Sequence, residues 1–223
     1  MGMIEVIESG LFTTVQDLGR YGHQRYGVPV SGALDLFALR VGNLLVGNRE
    51  ADAALEITFM GPRLRFHCDC TVALTGANLG PTVDGKPIPV WESVKVPRDS
   101  VLSFEGPQDG IRSYLCVRGG IDVPLVLGSR ATFARSRLGG LGGRPLAPGD
   151  MVPVADASRD ATTFTLKKLA ADRIPHYGND HTLRVTMGPQ DDAFTEAGIG
   201  AFLSATYTVT PRFDRMGYRL QGP

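Results

Sequence analysis

The side chains best suited to chemistry lie in a glycine-rich segment, 13–35, that combines amide, carboxylate and guanidinium groups. Gln and Arg side chains can hydrogen-bond a ureido or carboxylate group, and Arg can do so through two parallel bonds. A carboxylate in this segment can act as a base, bind a metal ion or orient the arginine. The alternative, which composition supports about equally, is a structural loop in which Asp and Ser cap backbone groups. The candidate residues are Gln16, Asp17, Arg20, Ser31 and Asp35.

A second candidate is the sequence GGLGGR, residues 139–144, in a loop-rich region that covers 119–150. Paired glycines let backbone N–H groups approach an anion closely, and Arg144 adds a positive charge. The pattern lacks the Lys-Ser/Thr pair of a P-loop, and a flexible hairpin is the alternative that sequence alone slightly favours. The candidate ligands for phosphate or carboxylate are Gly139, Gly140, Gly142, Gly143 and Arg144.

Other polar residues give weaker signals. Asn78 follows a convincing strand and can point into a cleft, although a turn-forming role is the more common one for asparagine. Cys68 and Cys70, with His67, could form half of a metal site. Two small, buried side chains are the favoured alternative, because the sequence contains no second pair of ligands. We therefore predict no metal site.

Charge and composition exclude several classes of protein. The chain has 23 basic and 23 acidic residues, and no segment concentrates Lys or Arg. Such a chain lacks the basic patch that nucleic acid or an anionic membrane requires. The sequence contains no run of eighteen apolar residues, so it predicts no membrane span. Three sparse cysteines and the absence of a signal-peptide pattern predict a cytoplasmic protein.

The elements that must position these residues are mainly strands. A helical spacing of apolar residues begins at Leu34, with Ser31 as a plausible N-cap and Gly47 or Asn48 as its left-handed end. Asp84-Gly85 is a hairpin signal. Strands about ten residues apart predict a barrel or sandwich, in which the helix would plug or cover one opening. The predicted strands are 4–8, 54–59, 63–67, 71–75, 81–84, 92–96, 101–105 and 112–117.

A second region follows a polar stretch at 155–163. It predicts a strand at 182–187, a short helix at 190–198, and strands at 205–210 and 217–221. We place a domain boundary within 155–180. A domain of about forty residues lies at the limit of independent stability, so we expect this part to be truncated or completed by another molecule.

Successive blocks of the sequence resemble the KipA family, which comprises the C subunits of 5-oxoprolinase, allophanate hydrolase subunit 2 and the biotin-dependent carboxyltransferase domain of urea carboxylase. The blocks, in order, are TTVQDLGRYG, GVPVSGALD, NLLVGN with AALEIT, ALTGAN, RSYLCVRGGIDVPLVLGSRAT, GGLGGRPLAPGD and RMGYRLQGP. The resemblance implies tandem cyclophilin-like β-barrels. Residues 1–160 would form the first barrel, and 161–223 a linker and the beginning of a second, incomplete barrel.

The resemblance also implies an activity. The chain is expected to be one component of an ATP-dependent 5-oxoprolinase, an enzyme that cleaves the small amide 5-oxoproline to glutamate. The second component would be a KipI-like subunit, and a further subunit would be the third. ATP, with magnesium, would bind at the level of the complex. Gln16, Asp17, Arg20 and Asp35 would then be catalytic, with Ser31, Asn78, the glycine loop and Arg215 as binding residues.

Two other activities stay open for the family. One is the carboxyltransferase step of a biotin-dependent urea carboxylase, in which biotin is the cofactor. The other is a non-catalytic regulatory module that binds a KipI-like protein. A chain without the rest of the second barrel would also be consistent with an inactive fragment.

Overall fold

Antiparallel strands dominate the part of the chain that the computed structural model describes, namely residues 2–155, 164–178, 180–214 and 217–223. The helices are α1, Leu36–Leu45, and α2, Glu196–Ser204. The strands are β1 Gly2–Glu8, β2 Phe12–Gln16, β3 Ala54–Thr58, β4 Arg63–Phe66, β5 Cys70–Asn78, β6 Pro81–Val83, β7 Lys86–Pro87, β8 Ser93–Val96, β9 Val101–Phe104, β10 Asp109–Val117, β11 Met151–Val154, β12 Thr208–Asp214 and β13 Gly217–Gln221. The prediction of a mainly β protein is confirmed.

Two sheets enclose the main core. One has the strand order β11-β1-β4-β9-β6-β7, and the other has the order β2-β3-β10-β5-β8. Alternate residues of each strand point inward, so that Ile4 and Phe66 of the first sheet and Leu55 and Leu115 of the second belong to one buried cluster. Each such side chain contributes roughly 1.5–3 kcal/mol by leaving water.

Helix α1 packs on the outer face of the five-stranded sheet. The prediction that this helix plugs or covers an opening is therefore wrong: it covers a sheet face. Small residues on that face, including Ala73 and Cys116, let the helix approach closely. A Cβ on Gly42 would lie only 2.6 Å from the Cys116 sulfur. Because α1 buries the outer face, β3 is buried on both faces rather than on alternate residues.

The ends of α1 differ in part from the prediction. Asp35, and not Ser31, is the N-cap, and its Oδ1 accepts a hydrogen bond from Ala38 N at 2.9 Å. Gly47 follows the helix at φ 76° and confirms the left-handed end. The helical spacing predicts Leu34 and Phe37 on the buried face, but these side chains are 53% and 46% exposed.

The turn at Asp84-Gly85 is confirmed. Both residues have positive φ, 49° and 74°, and they connect the paired strands β6 and β7. Strands β2, β7 and β11 escaped prediction. In β2 the sequence FTTVQ is buried at four of its five positions, so it lacks the alternation that marks a half-exposed strand.

The chain divides into two compact units, residues 1–179 and 180–223. In the second unit β12 and β13 pair in antiparallel fashion. Strand β13 confirms the strand predicted at 217–221, whereas the strand predicted at 205–210 lies at Thr208–Asp214. The strand predicted at 182–187 is absent, and the helix lies at Glu196–Ser204 rather than at 190–198. The predicted domain division at 160/161 falls in a stretch outside the described residues and stays a prediction. None of the helices in the described ranges has the length and apolarity to cross a bilayer.

Candidate functional site

Asp17 lies directly after β2, and its carboxylate ties its own turn to the distant segment 129–130. Its Oδ1 accepts hydrogen bonds from Gly19 N and Ser129 Oγ, both at 2.8 Å. Its Oδ2 accepts one from Arg130 N at 2.6 Å. The side chain is almost completely buried, and both oxygens are engaged. Asp17 therefore orients the neighbouring loops, and it is not placed as a free base.

Arg20 lies in the same cluster, with its guanidinium group fully buried. Nε donates to Val126 O at 2.8 Å, and Nη2 donates to Ala131 O at 2.9 Å. Burial lowers the pKa of Arg20, and the nearby charge of Asp17 opposes that shift. The arginine thus fixes the backbone of the 126–131 loop from inside the protein.

Gln16 contacts the same loop from the end of β2. Its Nε2 donates to Thr132 O at 3.2 Å and to Thr14 Oγ1 at 3.0 Å. Within the described residues, two buried side-chain polar atoms lack a hydrogen-bond partner, Gln16 Oε1 and Arg20 Nη1. Buried polar atoms in proteins are nearly always hydrogen-bonded. An acceptor and a donor left over in one cluster therefore mark it as a place that accommodates a small polar molecule or water.

The glycine loop meets this cluster. Gly139 has φ 67°, and a Cβ there would lie 2.7 Å from Arg20 Nη2 and would also strike Ala131 O. Gly140 N donates to Arg130 O at 3.0 Å. Only glycine fits at 139, because any side chain would displace the arginine. The structure therefore brings both predicted loops together at Arg20.

Four backbone donors of the glycine loop have no protein acceptor. Gly140 N and Gly143 N are occupied, the latter by Gly139 O at 2.8 Å. Within the described ranges, the N–H groups of Gly139, Leu141, Gly142 and Arg144 donate to no protein acceptor. Gly142 is exposed and Leu141 is half-buried, so an anion can approach the loop at Gly142.

Arg144, which the sequence predicts as an anion ligand, is paired with a carboxylate in this structure. Its Nη1 and Nη2 donate to the two Asp150 carboxylate oxygens at 2.7 and 2.8 Å. This two-bond pair, with Arg144 46% exposed, lowers the pKa of Asp150 and raises that of Arg144. The pair closes the connection before β11.

Asp35 belongs to a separate network on the helix-covered face. Its Oδ2 accepts a hydrogen bond from Tyr177 Oη at 2.7 Å, and its backbone N donates to Tyr114 Oη at 2.8 Å. Tyr114 Oη in turn donates to the buried Glu56 at 2.8 Å, and Glu56 pairs with Arg112 at 2.8 Å. Burial raises the pKa of both tyrosines, and the bond to Asp35 raises that of Tyr177 further.

Sequence reasoning missed four members of this network: Glu56, Arg112, Tyr114 and Tyr177. A signal existed for Glu56, since a carboxylate within the buried strand ALEIT requires a partner. Nothing local marked Tyr177, which lies 142 residues from Asp35 along the chain.

The remaining predicted residues do not join either group. Ser31 has φ 57° and is half-buried in the turn that faces Gly19. Asn78 forms a turn, since its Oδ1 accepts from Gly80 N at 3.0 Å and its Nδ2 donates to Gln108 at 2.9 Å. Arg215 lies outside the described residues.

The two neighbouring cysteines carry free thiols. Cys68 Sγ and Cys70 Sγ are 3.4 Å apart and half-buried, and His67 contacts Glu5 at 3.0 Å. No group of three or more His, Cys, Asp or Glu side chains in the described part of the chain is arranged to hold a metal ion.

Comparison with known proteins agrees with this architecture. The family model described as carboxyltransferase domain, subdomain A and B, matches residues 26–223. The chain is 40% identical to the C subunit of 5-oxoprolinase from Escherichia coli over 223 residues, which cover 99% of this chain and 69% of that protein. It is 38% identical over 226 residues to urea amidolyase of Saccharomyces cerevisiae, of which it spans 12%.

A solved structure of a related protein has a similar fold. The crystal structure of Kluyveromyces lactis urea carboxylase superimposes with a TM-score of 0.83 at 36% identity over 99% of this chain. The chain corresponds to 20% of that protein.

Proposed function

Because the chain belongs to the family of carboxyltransferase domains with subdomains A and B, we propose that it is one component of an ATP-dependent 5-oxoprolinase. In this role it helps to cleave 5-oxoproline to glutamate. The observation that carries the proposal is the 40% identity to the C subunit of a 5-oxoprolinase, of which the chain spans 69%. Its share of urea amidolyase is only 12%.

The geometry suggests a division of labour within the site. Gln16, Asp17 and Arg20 hold the 126–132 loop and the glycine loop in place from the protein interior. The backbone N–H groups of Leu141 and Gly142 have no protein acceptor and would receive the anion. Preorganised backbone donors stabilise charge that develops on a carbonyl or phosphorylated oxygen, because they do not need to reorient during the reaction. We assign the buried residues a positioning role and the loop a contact role.

Other proteins complete the activity in this proposal. The glycine loop lacks the lysine that a P-loop uses to bind phosphates, so ATP and its magnesium ion are assigned to the assembled complex. The proposed partners are a KipI-like subunit, which is the second component, and a further protein that is the third component. Tandem cyclophilin-like barrels are the proposed architecture of a chain of full family length.

A second candidate is the carboxyltransferase step of a biotin-dependent urea carboxylase. The TM-score of 0.83 to K. lactis urea carboxylase favours it. Biotin would supply the carboxyl group in that reaction. The ureido ring of biotin carries N–H donors and a carbonyl acceptor. These groups are complementary to Gln16 Oε1 and Arg20 Nη1, the two buried atoms that lack a hydrogen-bond partner.

The test is reconstitution with the second and third components from the same source, followed by measurement of 5-oxoproline-dependent ATP hydrolysis and glutamate release. The expected result is activity that requires all three components. Gly142→Ala should raise the KM, because it strains the left-handed backbone that presents the N–H groups of the glycine loop. Gly85→Ala, at a glycine that also has positive φ and faces open space, is the matched control and should leave the KM unchanged.

Three outcomes separate the candidates. Carboxylation of urea by a biotinylated carrier, without 5-oxoproline turnover, would favour the carboxyltransferase. A stable complex with the KipI-like protein and neither reaction, also with a chain of full family length, would indicate a regulatory module. Activity of the three-component mixture only when this chain is extended to full family length would mean that residues 1–223 are not sufficient.

A further inference from the structure

The anion site proposed at the glycine loop needs a full positive charge, and the arginines already described do not supply it. Both terminal nitrogens of Arg144 bind the Asp150 carboxylate. Arg20 is buried and donates to backbone carbonyls, and Arg130 pairs with Asp122. Backbone N–H groups contribute only partial charges. Another side chain therefore has to provide the charge that holds an anion at the loop.

Arg137 lies directly against the glycine loop. A Cβ on Gly143, where φ is 69°, would strike the carbonyl group of Arg137. Gly143 is buried, whereas Arg137 is exposed to solvent. Gly143 N also donates to Gly139 O at 2.8 Å, so the loop is closed where it contacts Arg137. The backbone of Arg137 is thus fixed next to Gly142, whose N–H group has no protein acceptor.

The guanidinium group of Arg137 carries an unpaired charge. Among the residues that the structure describes, it forms no ion pair and no hydrogen bond. Residues 123–149 contain four arginines and no Asp, Glu or Lys, so no carboxylate close to it along the chain neutralises it. The other three arginines of this segment, Arg130, Arg135 and Arg144, all have an interaction within the protein.

We propose that Arg137 binds the carboxylate of the small amide substrate, together with the free backbone N–H groups of the glycine loop. The ligand class is a small carboxylate. Its two oxygens lie in one plane, and a guanidinium group donates two parallel N–H bonds to such a group. Leu141 N and Gly142 N would donate to the same oxygens. Phosphate is the other oxyanion with suitable acceptors, and the experiment below separates the two.

This inference deepens the proposed function and rests on it, since 5-oxoproline carries one carboxylate beside its lactam ring. A contact with the carboxylate leaves the lactam bond open to the reaction and fixes its position relative to the loop. Arg137 would therefore determine specificity, because an amide that lacks the carboxylate would lose the contact. The role that the sequence assigns to Arg144 would belong to Arg137.

Arg137→Asn tests the inference, because asparagine tolerates the left-handed backbone at φ 52° and removes the charge. The variant should be at least as stable as the wild type. In the reconstituted three-component mixture its KM for 5-oxoproline should rise roughly 10-fold, as expected for one lost charge-assisted contact, and its KM for ATP should stay unchanged. Arg137→Lys keeps the charge and should recover part of the affinity.

Arg98→Asn is the matched control, since it removes an exposed arginine in the turn between β8 and β9. It should leave both KM values unchanged. A rise in the KM for ATP in Arg137→Asn, without a rise in that for 5-oxoproline, would overturn the assignment to a carboxylate. Equal KM values for 5-oxoproline in Arg137→Asn and the wild type would overturn the role of Arg137 and leave the 5-oxoprolinase activity standing.

A binding measurement on the chain by itself separates this inference from the proposed function. Titration with 5-oxoproline should shift the amide NMR signals of Leu141 and Gly142 in the wild type but not in Arg137→Asn. Pyrrolidinone, the same ring without the carboxylate, should leave them in place. Such shifts without any 5-oxoproline turnover in the complex would support the carboxylate site and contradict the proposed function alone. Shifts with inorganic phosphate but not with 5-oxoproline would overturn the carboxylate site.

Discussion

Arg20 and Arg144 belong to one predicted site, yet they lie in opposite environments. Arg20 is 1% exposed and binds two backbone carbonyls of a distant loop, with one nitrogen left over. Arg144 is 46% exposed and forms a two-bond pair with Asp150, six residues along the chain. The buried arginine determines the shape of the site, whereas the exposed one closes a local turn. Residue type and glycine context alone did not distinguish these roles.

The largest expected effect comes from Arg20→Met, which keeps the length of the side chain but removes its charge and donors. It should lower the free energy of unfolding by about 3–5 kcal/mol, because two loop carbonyls lose their charged, buried donor. Urea denaturation followed by tryptophan fluorescence measures the change. A loss below about 1 kcal/mol would show that the loops hold without the arginine. Arg20→Lys should recover part of the loss, but not the two-point contact.

Alanine at Gly139 and at Gly142 separates steric fit from backbone strain. Both glycines have φ 67°, but only Gly139 lies against Arg20 and Ala131, while Gly142 faces open space. Gly142→Ala should therefore cost roughly 1–2 kcal/mol for the left-handed backbone alone. Gly139→Ala should cost roughly a further 1–3 kcal/mol from overpacking. Equal losses in thermal denaturation would contradict the proposed packing of the glycine loop on Arg20.

Tyr177→Phe extends the comparison to the Asp35 network. At about pH 8 it should lower the free energy of unfolding by only about 1 kcal/mol, because one hydrogen bond is lost. The folded-state pKa of Tyr177 is raised, so its contribution is present below the ordinary tyrosine value of about 10 and is lost as pH rises above it. Stability of the wild type should therefore decline in alkali more steeply than that of the variant. A steeper alkaline loss of stability in the variant than in the wild type would show that Tyr177 does not cause this loss. Tyr21→Phe, at an exposed tyrosine, serves as the control.

The smallest effect is expected for Arg144→Gln, which should lower the unfolding midpoint only slightly at neutral pH, because the pair is exposed to solvent. The folded-state pKa of Asp150 is depressed by Arg144. The stabilisation by the Arg144–Asp150 pair is therefore present above the unfolded-state pKa of Asp150, about 3.9, and it is lost as the pH falls through the lower, folded-state pKa. The difference between wild type and variant should vanish in acid unfolding curves. If Arg144→Gln destabilised the protein as much as Arg20→Met, the two arginines would not differ in their contribution to stability.

Much of the fold was accessible from local patterns. Alternation predicted most strands of the first unit, and Asp84-Gly85 predicted its hairpin, because strand period and turn conformation depend on neighbouring residues. Strand β2 was missed because both of its faces are buried, so its sequence does not alternate. The placement of α1 also failed, since helical spacing indicates that one face is buried but not which surface receives it.

The site divides in the same way. The sequence by itself determined which loops carry glycine, arginine and carboxylate groups, and in its ordered blocks it determined the family. Only the tertiary structure decided that Arg20 is internal, that Gly139 packs on it, and that Tyr177 reaches Asp35 across 142 residues. The physical reason is that burial and hydrogen-bond partners depend on which distant segments meet. That meeting is a property of the packed chain rather than of any local spacing.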